Sequence, residues 1–148
     1  MDKYFSSMSV RVREALERDI PKKAGNRLVA AFKRNFQTES FFGKRWQDVQ
    51  RRTHPNKAQA GKADSLRKIL TGRTGDLGRS IRYKAEDRRV TVYSDLPYSA
   101  AHNEGTATAG RGRKTRIPQR QFMGDHPQVR RIVRDTVNRE IARALRKQ

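Results

Sequence analysis

From Ser9 to Phe36 the apolar residues recur at helical spacing, first Val12, Ala15 and Leu16, then Ala24, Leu28, Phe32 and Phe36 at intervals of four. Asp19-Ile20-Pro21 interrupts the pattern. Proline suits the first turn of a helix and not its interior, so two helices are expected, with a break near Asp19. The stretch "TESFFGKRWQDV" then bunches Phe41, Phe42 and Trp46 around Gly43 in otherwise polar surroundings. Aromatic residues this dense usually bury together, either as a satellite cluster that pins the preceding helix or as an anchor facing a partner. Residues 51–63, "RRTHPNKAQAGKA", have no apolar face and are expected to be a mobile loop or arm. A further helix is expected from about Asp64 through Leu66, Ile69 and Leu70, ending at the glycines of "TGRTGDLG".

"SIRYKAEDRRVTVYSD" alternates: Ile81, Tyr83 and Ala85 face one way, then Val90, Val92 and Ser94, which predicts an antiparallel hairpin. Pro97 to Glu104 suits one or two helical turns. "GTATAGRGRKTR" carries no large apolar side chain and predicts a long exposed loop or a hairpin tip over 106–116. "IPQRQFMG" is an extended edge segment, because Pro118 cannot serve a central strand. His126-Pro127 opens the last helix, whose stripe runs Val129, Ile132, Val133, Val137, Ile141 and Leu145. The fold class expected is α+β, a small antiparallel sheet (hairpin plus edge segment) packed against N-terminal, central and C-terminal helices, as one domain over residues 1–148. Its core should combine the hairpin, the segment near Phe122, and helices around Leu28, Leu66 and Ile132.

Composition changes this picture in one respect. Only 34% of the 148 residues are apolar and the formal net charge is +20, so the core is modest and an acidic partner is expected. Residues 1–62 hold 15 Lys/Arg against 6 Asp/Glu, residues 63–106 hold 8 against 6, and residues 107–148 hold 12 against 3. The nearly neutral middle is the natural core, and the basic ends are the natural contact surfaces. The absence of cysteine removes disulfides, thiol catalysis and Cys-based zinc sites. The N-terminal residues lack the apolar run of a signal peptide, and no stretch approaches a membrane span, so a soluble chain made in the cytoplasm is expected.

The candidate chemistry is thin. His102-Asn103-Glu104 has the spacing that begins a zinc-deaminase signature, but its P-C-x-x-C half needs cysteine. A histidine metal site would have to gather His54, His102 and His126 from three separate segments. Gly105 to Gly110 resembles the start of a phosphate-binding loop, but Arg111-Gly112 stand where Lys and Ser/Thr are needed. Ser94 and Ser99 lack a nucleophile-elbow context, and Asp95 and Glu104 are the acids near His102. That histidine is better read as hydrogen bonding to backbone or to another subunit. Nucleic-acid binding through "RGRKTR" and the arginine-rich last helix competes with a reading in which the same charges meet acidic protein surfaces.

In order along the chain, Phe36 and Gly43-x-x-Trp46 are followed by Ile69-Leu70 and the run from Gly72 through Gly75 and Leu77 to Ser80-Ile81. After the hairpin come Tyr98-x3-His102-x2-Gly105, a glycine-rich loop, and Ile117-Pro118-x-Arg120-x-Phe122-x-Gly124. This connected pattern resembles the phage virion morphogenesis family, the tail-completion proteins of Mu-like and related tailed phages and prophages, from about residue 10 to the end. The usual family forms are Y-A-x-x-H-x-x-G and I-P-A-R-P-F-L-G. Here Ser99, Gln119, Gln121 and Met123 replace the common alanine, alanine, proline and leucine, which loosens any inference about local backbone shape.

The resemblance implies a structural neck or tail-end subunit without catalytic role or cofactor. It would work as one copy in a ring of identical subunits beside other neck, connector or tail-tube proteins, with packaged DNA in the channel as a further contact. No membrane and no small-molecule substrate are expected, and the place of action is the virion, after synthesis in the bacterial host. Trp46, Gly72, Leu77, Ile81, Tyr98, His102, Gly105, Pro118, Arg120, Phe122 and Gly124 are the structural positions of the family motifs. Arg111, Arg113, Lys114 and Arg116 are the residues expected to dock on a neighbouring subunit. The competing function is a basic nucleic-acid-binding protein that sets residues 111–116 and the last helix on phosphates.

Overall fold

The computed structural model describes residues 2–146, with the side chains of Asp2 and Asp64 excepted. The first half runs α1 (Asp2–Glu14), a π turn (Ala15–Asp19), α2 (Ile20–Thr38), β1 (Ser40–Phe41), β2 (Lys44–Arg45), α3 (Gln50–Thr53) and α4 (Ala63–Leu66). The second half runs α5 (Asp76–Arg79), β3 (Ile81–Glu86), β4 (Arg89–Ser94), α6 (Ser99–Glu104), β5 (Thr106–Ala109), β6 (Thr115–Ile117) and α7 (Pro127–Arg146). Among the described residues the strands form three antiparallel pairs, and the fold is α+β, as expected. Contacts divide the described chain into two compact units, one of residues 2–30, 82–93 and 125–146, the other of Ala31–Ile81 and Ser94–Gly124.

The break expected near Asp19 is a π turn, and the chain stays helical through it. The Ile20 N–H donates to the carbonyl of Ala15, five residues back. Pro21 follows without an N–H of its own, and the wider turn accommodates that missing donor where a regular helix would lose a bond. In the first unit Ala15, Ile20 and Ala144 are buried, with Val12, Leu16, Val137 and Ile141 packed around them. Ala15 lies in the π turn and Ala144 on α7, and Arg11 Nε on α1 donates to the Ala144 carbonyl at 3.1 Å. The stripe expected on α7 is shifted: Leu145 is 44% exposed, while Thr136 and Ala144 are the buried positions. Arg27 explains part of the shift, since its Nη1 donates to Thr136 Oγ1 at 2.6 Å and to the Ile132 carbonyl at 3.3 Å. Gly25 is required because a Cβ there would come within 2.3 Å of the Tyr83 ring. The β3–β4 hairpin alternates as expected, with Tyr83, Ala85, Val90 and Val92 half-buried.

The second unit is built around Phe36. Its ring centroid lies 5.6 Å from that of Trp46 and 5.0 Å from that of Phe122. Phe32, Phe41, Ile69, Leu77 and Ile81 are also buried, and Phe122 is fully so. The aromatic bunch is therefore core, with β1 and β2 joined by Phe42 (φ +46°) and Gly43 (φ +97°), the two positive φ values a tight hairpin turn demands.

The helix expected from Asp64 through Leu70 is confined to one turn, and Leu66 is 73% exposed and takes no part in the core. Its would-be continuation is captured by other groups. Arg51 and Arg52 donate to the Arg67 carbonyl at 2.8 and 2.9 Å, Arg51 reaches the Lys68 carbonyl at 3.1 Å, and the Ile69 N–H donates to Glu39 Oε1 at 2.8 Å. Of these groups the Ile69 N–H is one that a helix through Leu70 would pair internally, with the Ser65 carbonyl, and the Arg67 and Lys68 carbonyls are the unpaired acceptors of its last turn, satisfied here by arginines. Within 51–63, Arg51 and Arg52 lie on α3 and are half-buried, whereas residues 54–62 form exposed turns.

Candidate functional site

The segment after α6 builds a projecting hairpin. Gly105 (φ +76°) turns the chain out of α6, and a Cβ there would stand 2.8 Å from the Gln119 nitrogen, so the close approach needs glycine. β5 and β6 then pair with Thr106 opposite Ile117 and Ala109 opposite Thr115, with an irregular register between them. Of the two forms expected for residues 106–116, a loop or a hairpin tip, the hairpin is observed. Its tip, Gly110 to Lys114, turns at Gly110 (φ +77°), Gly112 (φ +92°) and Arg113 (φ +52°). Arg111, Arg113, Lys114 and Arg116 are all exposed. No other acid or base is hydrogen-bonded to them among the described residues. The group is four cations on a narrow two-stranded stalk, suited to meeting acidic oxygens and unsuited to holding a small molecule.

At the base of this stalk the motif positions converge through backbone hydrogen bonds. The Arg120 N–H donates to the His102 carbonyl at 2.9 Å. Asn103 Oδ1 accepts from the N–H groups of Phe122 and Met123 at 2.9 and 3.1 Å. Trp46 Nε1 donates to the Gln121 carbonyl at 2.7 Å, and Asn35 Nδ2 donates to the Phe122 carbonyl at 3.0 Å. The Arg120 side chain, only 8% exposed, donates to the carbonyls of Gln47 at 2.8 Å and Asp48 at 3.0 Å. Trp46, His102, Gly105, Arg120 and Phe122 thus form one latch across residues 46–48, 102–105 and 119–123. Leu77 and Ile81 are core residues, Gly72 (φ +56°) and Gly124 (φ +148°) are turn positions, and Pro118 follows the end of β6.

Within the chain the His102 carbonyl, and not its ring, carries the backbone contact. The ring stacks edge-on to Tyr98 with centroids 6.1 Å apart, and its Nδ1 is buried without a hydrogen-bond partner. Burial and the neighbouring Arg120 guanidinium hold its pKa below the ordinary histidine value. Glu39, which sequence patterning passed over, accepts from Arg52 Nη1 and Nη2 at 2.9 and 2.6 Å. Those bonds, helped by the Ile69 N–H, outweigh burial and bring its carboxyl down to about 2. Asn35, Asn103, Arg51 and Arg52 escape the sequence pattern for a related reason: their partners, backbone groups and in the case of Arg52 also the Glu39 carboxylate, lie in other segments, and no local pattern announces them.

Among the described residues no three His, Cys, Asp or Glu side chains gather in a way that could hold a metal, and no helix is long and apolar enough to cross a membrane. No curated protein and no solved structure matches the chain. Comparison with known families matches residues 5–142 to the phage virion morphogenesis family; the chain therefore belongs to that family, and its role is a structural or assembly one in a bacteriophage virion.

Proposed function

We propose that the protein is a tail-completion or neck subunit that joins or terminates the tail at the head–tail interface, acting as one copy in a ring, without catalysis. The observation that carries this reading is the β5–β6 stalk with Arg111, Arg113, Lys114 and Arg116 exposed on or beside its tip. A two-stranded projection has free edge groups and can add to the sheet edge of a neighbour, while its cations select an acidic surface. The tip contributes nothing to either buried core, which leaves it available to a partner. Removing Gly110 to Lys114 is expected to leave the far-ultraviolet circular dichroism and melting temperature of the purified protein nearly unchanged. The same deletion is expected to abolish infectious particles. Normal particle yield from the deletion phage would refute the docking role. Electron microscopy of the protein, alone and with tail-tube subunits, tests the ring itself.

A second reading has its own observation: Arg131, Arg134, Arg139, Arg143 and Arg146 are all exposed on α7. Such a row fits phosphates, and in that case duplex binding weakens steeply with salt, with a slope set by the number of phosphates neutralised. Weak, salt-insensitive binding would leave the row to acidic protein surfaces in the assembly.

A further inference from the structure

The second unit contains a cleft of about 290 Å³ walled by Arg51, Arg67, Arg120 and His102. Its apolar floor includes Ile69 and Leu77, and Tyr98, 46% exposed, stands at its mouth. The one acid lining it among the described residues, Asp76, is already committed, accepting from Thr74 Oγ1 at 2.5 Å and Arg79 Nη2 at 2.6 Å. Nearby Glu39 is held by Arg52 and the Ile69 N–H, and Asp48 Oδ1 accepts from the Val49 N–H at 2.8 Å. Among the described residues, Arg51 and Arg120 donate to neutral backbone carbonyls. Arg51 Nε and His102 Nδ1 are buried without hydrogen-bond partners. Burial, followed by the charges of Arg67 and Arg52, pushes the Arg51 guanidinium pKa down. Burial and then Arg51 do the same to Arg120. Like charges are therefore gathered around one partly buried cavity with donors to spare, an arrangement that an anion would relieve.

We propose that this cleft is a receptor for a carboxylate, taking an aspartate or glutamate side chain or a chain-terminal carboxyl group from a partner protein. Its volume lies at the small end of ligand pockets, enough for a side-chain-sized group and too small for a nucleotide. The cations are recessed, with Arg120 nearly buried, and the phosphates of a duplex lie on a convex cylinder that reaches exposed cations instead. Paired guanidinium groups suit the flat two-oxygen face of a carboxylate. The proposal leans on the assembly role only for who carries the carboxylate; the binding chemistry belongs to the isolated chain.

The test is a titration of the full-length, nitrogen-labelled protein with capped tetraglutamate, with inorganic phosphate and with a short DNA duplex, following the arginine Nε–H and histidine ring resonances. Tetraglutamate is expected to shift Arg51 and Arg120 at millimolar concentration and to raise the apparent pKa of His102, the titratable group that faces Arg51, Arg67, Arg120, Asp76 and Tyr98 across the cleft. Arg67→Gln and Arg51→Gln are expected to weaken that binding by about tenfold or more. Arg67→Gln keeps the backbone carbonyl that Arg51 and Arg52 use, and its melting is recorded beside the titration so that only a folded variant is scored. Undiminished binding by a folded Arg67→Gln variant would overturn the proposal. So would silent Arg51 and Arg120 resonances, a response to phosphate but not to tetraglutamate, or a stronger response of the same resonances to duplex DNA. Ring formation, scored separately by microscopy, does not enter these outcomes.

Discussion

Glu39 illustrates how one side chain can hold several segments at once. It follows α2 at φ +52°, a conformation that is uncommon for a residue with a side chain, and its carboxylate ties Arg52 to the Ile69 backbone. Because the folded carboxyl, at about 2, lies below its ordinary value of 4.5, the group stabilises the fold fully above pH 4.5. That contribution is lost as pH falls from 4.5 toward 2. The protein should therefore show an acid-labile component of roughly 1–3 kcal/mol over that window, absent from Glu39→Gln, in urea melts recorded at successive pH values. Equal acid sensitivity in both proteins would assign the loss to other carboxylates.

The latch at the foot of the stalk belongs to the scale of elements. α6 and the segment ending at Phe122 are held by Asn103, whose single amide oxygen receives two backbone N–H groups, one from the fully buried Phe122. Truncating Asn103 to alanine leaves both donors without an acceptor. The expected cost is roughly 2–3 kcal/mol, or a fall of about 5–10 °C in melting temperature. Proteolysis should then open the chain first near the stalk, where Gly105 admits the Gln119 backbone. A loss below about 0.5 kcal/mol would show that water replaces the amide and that the latch is held by Trp46 and Arg120.

At the scale of the whole molecule the governing quantity is a charge of +20 on 148 residues. Ion pairs such as Arg79–Asp76 and Arg88–Glu17 are exposed and add little each. The dominant long-range effect is self-repulsion. Raising salt from about 10 mM to about 150 mM shortens the screening length from about 30 Å to about 8 Å, so the melting temperature should rise. A fall on adding salt would mean that attraction between charges outweighs repulsion. Any acidic partner that neutralised this charge would stabilise the protein in the same direction.

Elements whose evidence is local were legible from the chain itself. The alternation of Ile81 to Ser94, the four-residue spacing from Ala24 to Phe36 and the proline opening α7 each encode their own geometry, because side-chain period and backbone conformation are coupled within a few residues. The family pattern from Phe36 to Gly124 was legible for the same reason, as residue types in order. Tertiary structure decided what depended on remote groups. It left Leu66 exposed, with the Ile69 N–H bound to Glu39 where a helix would have paired it internally, and it bridged Pro21 with a π turn where a break was expected. It also drew three arginines and His102 around one cleft, from segments that have no common period. A hydrogen bond between residues far apart in the chain leaves no trace in local hydrophobic pattern, and so the latch and the cleft exist only once the backbone has folded.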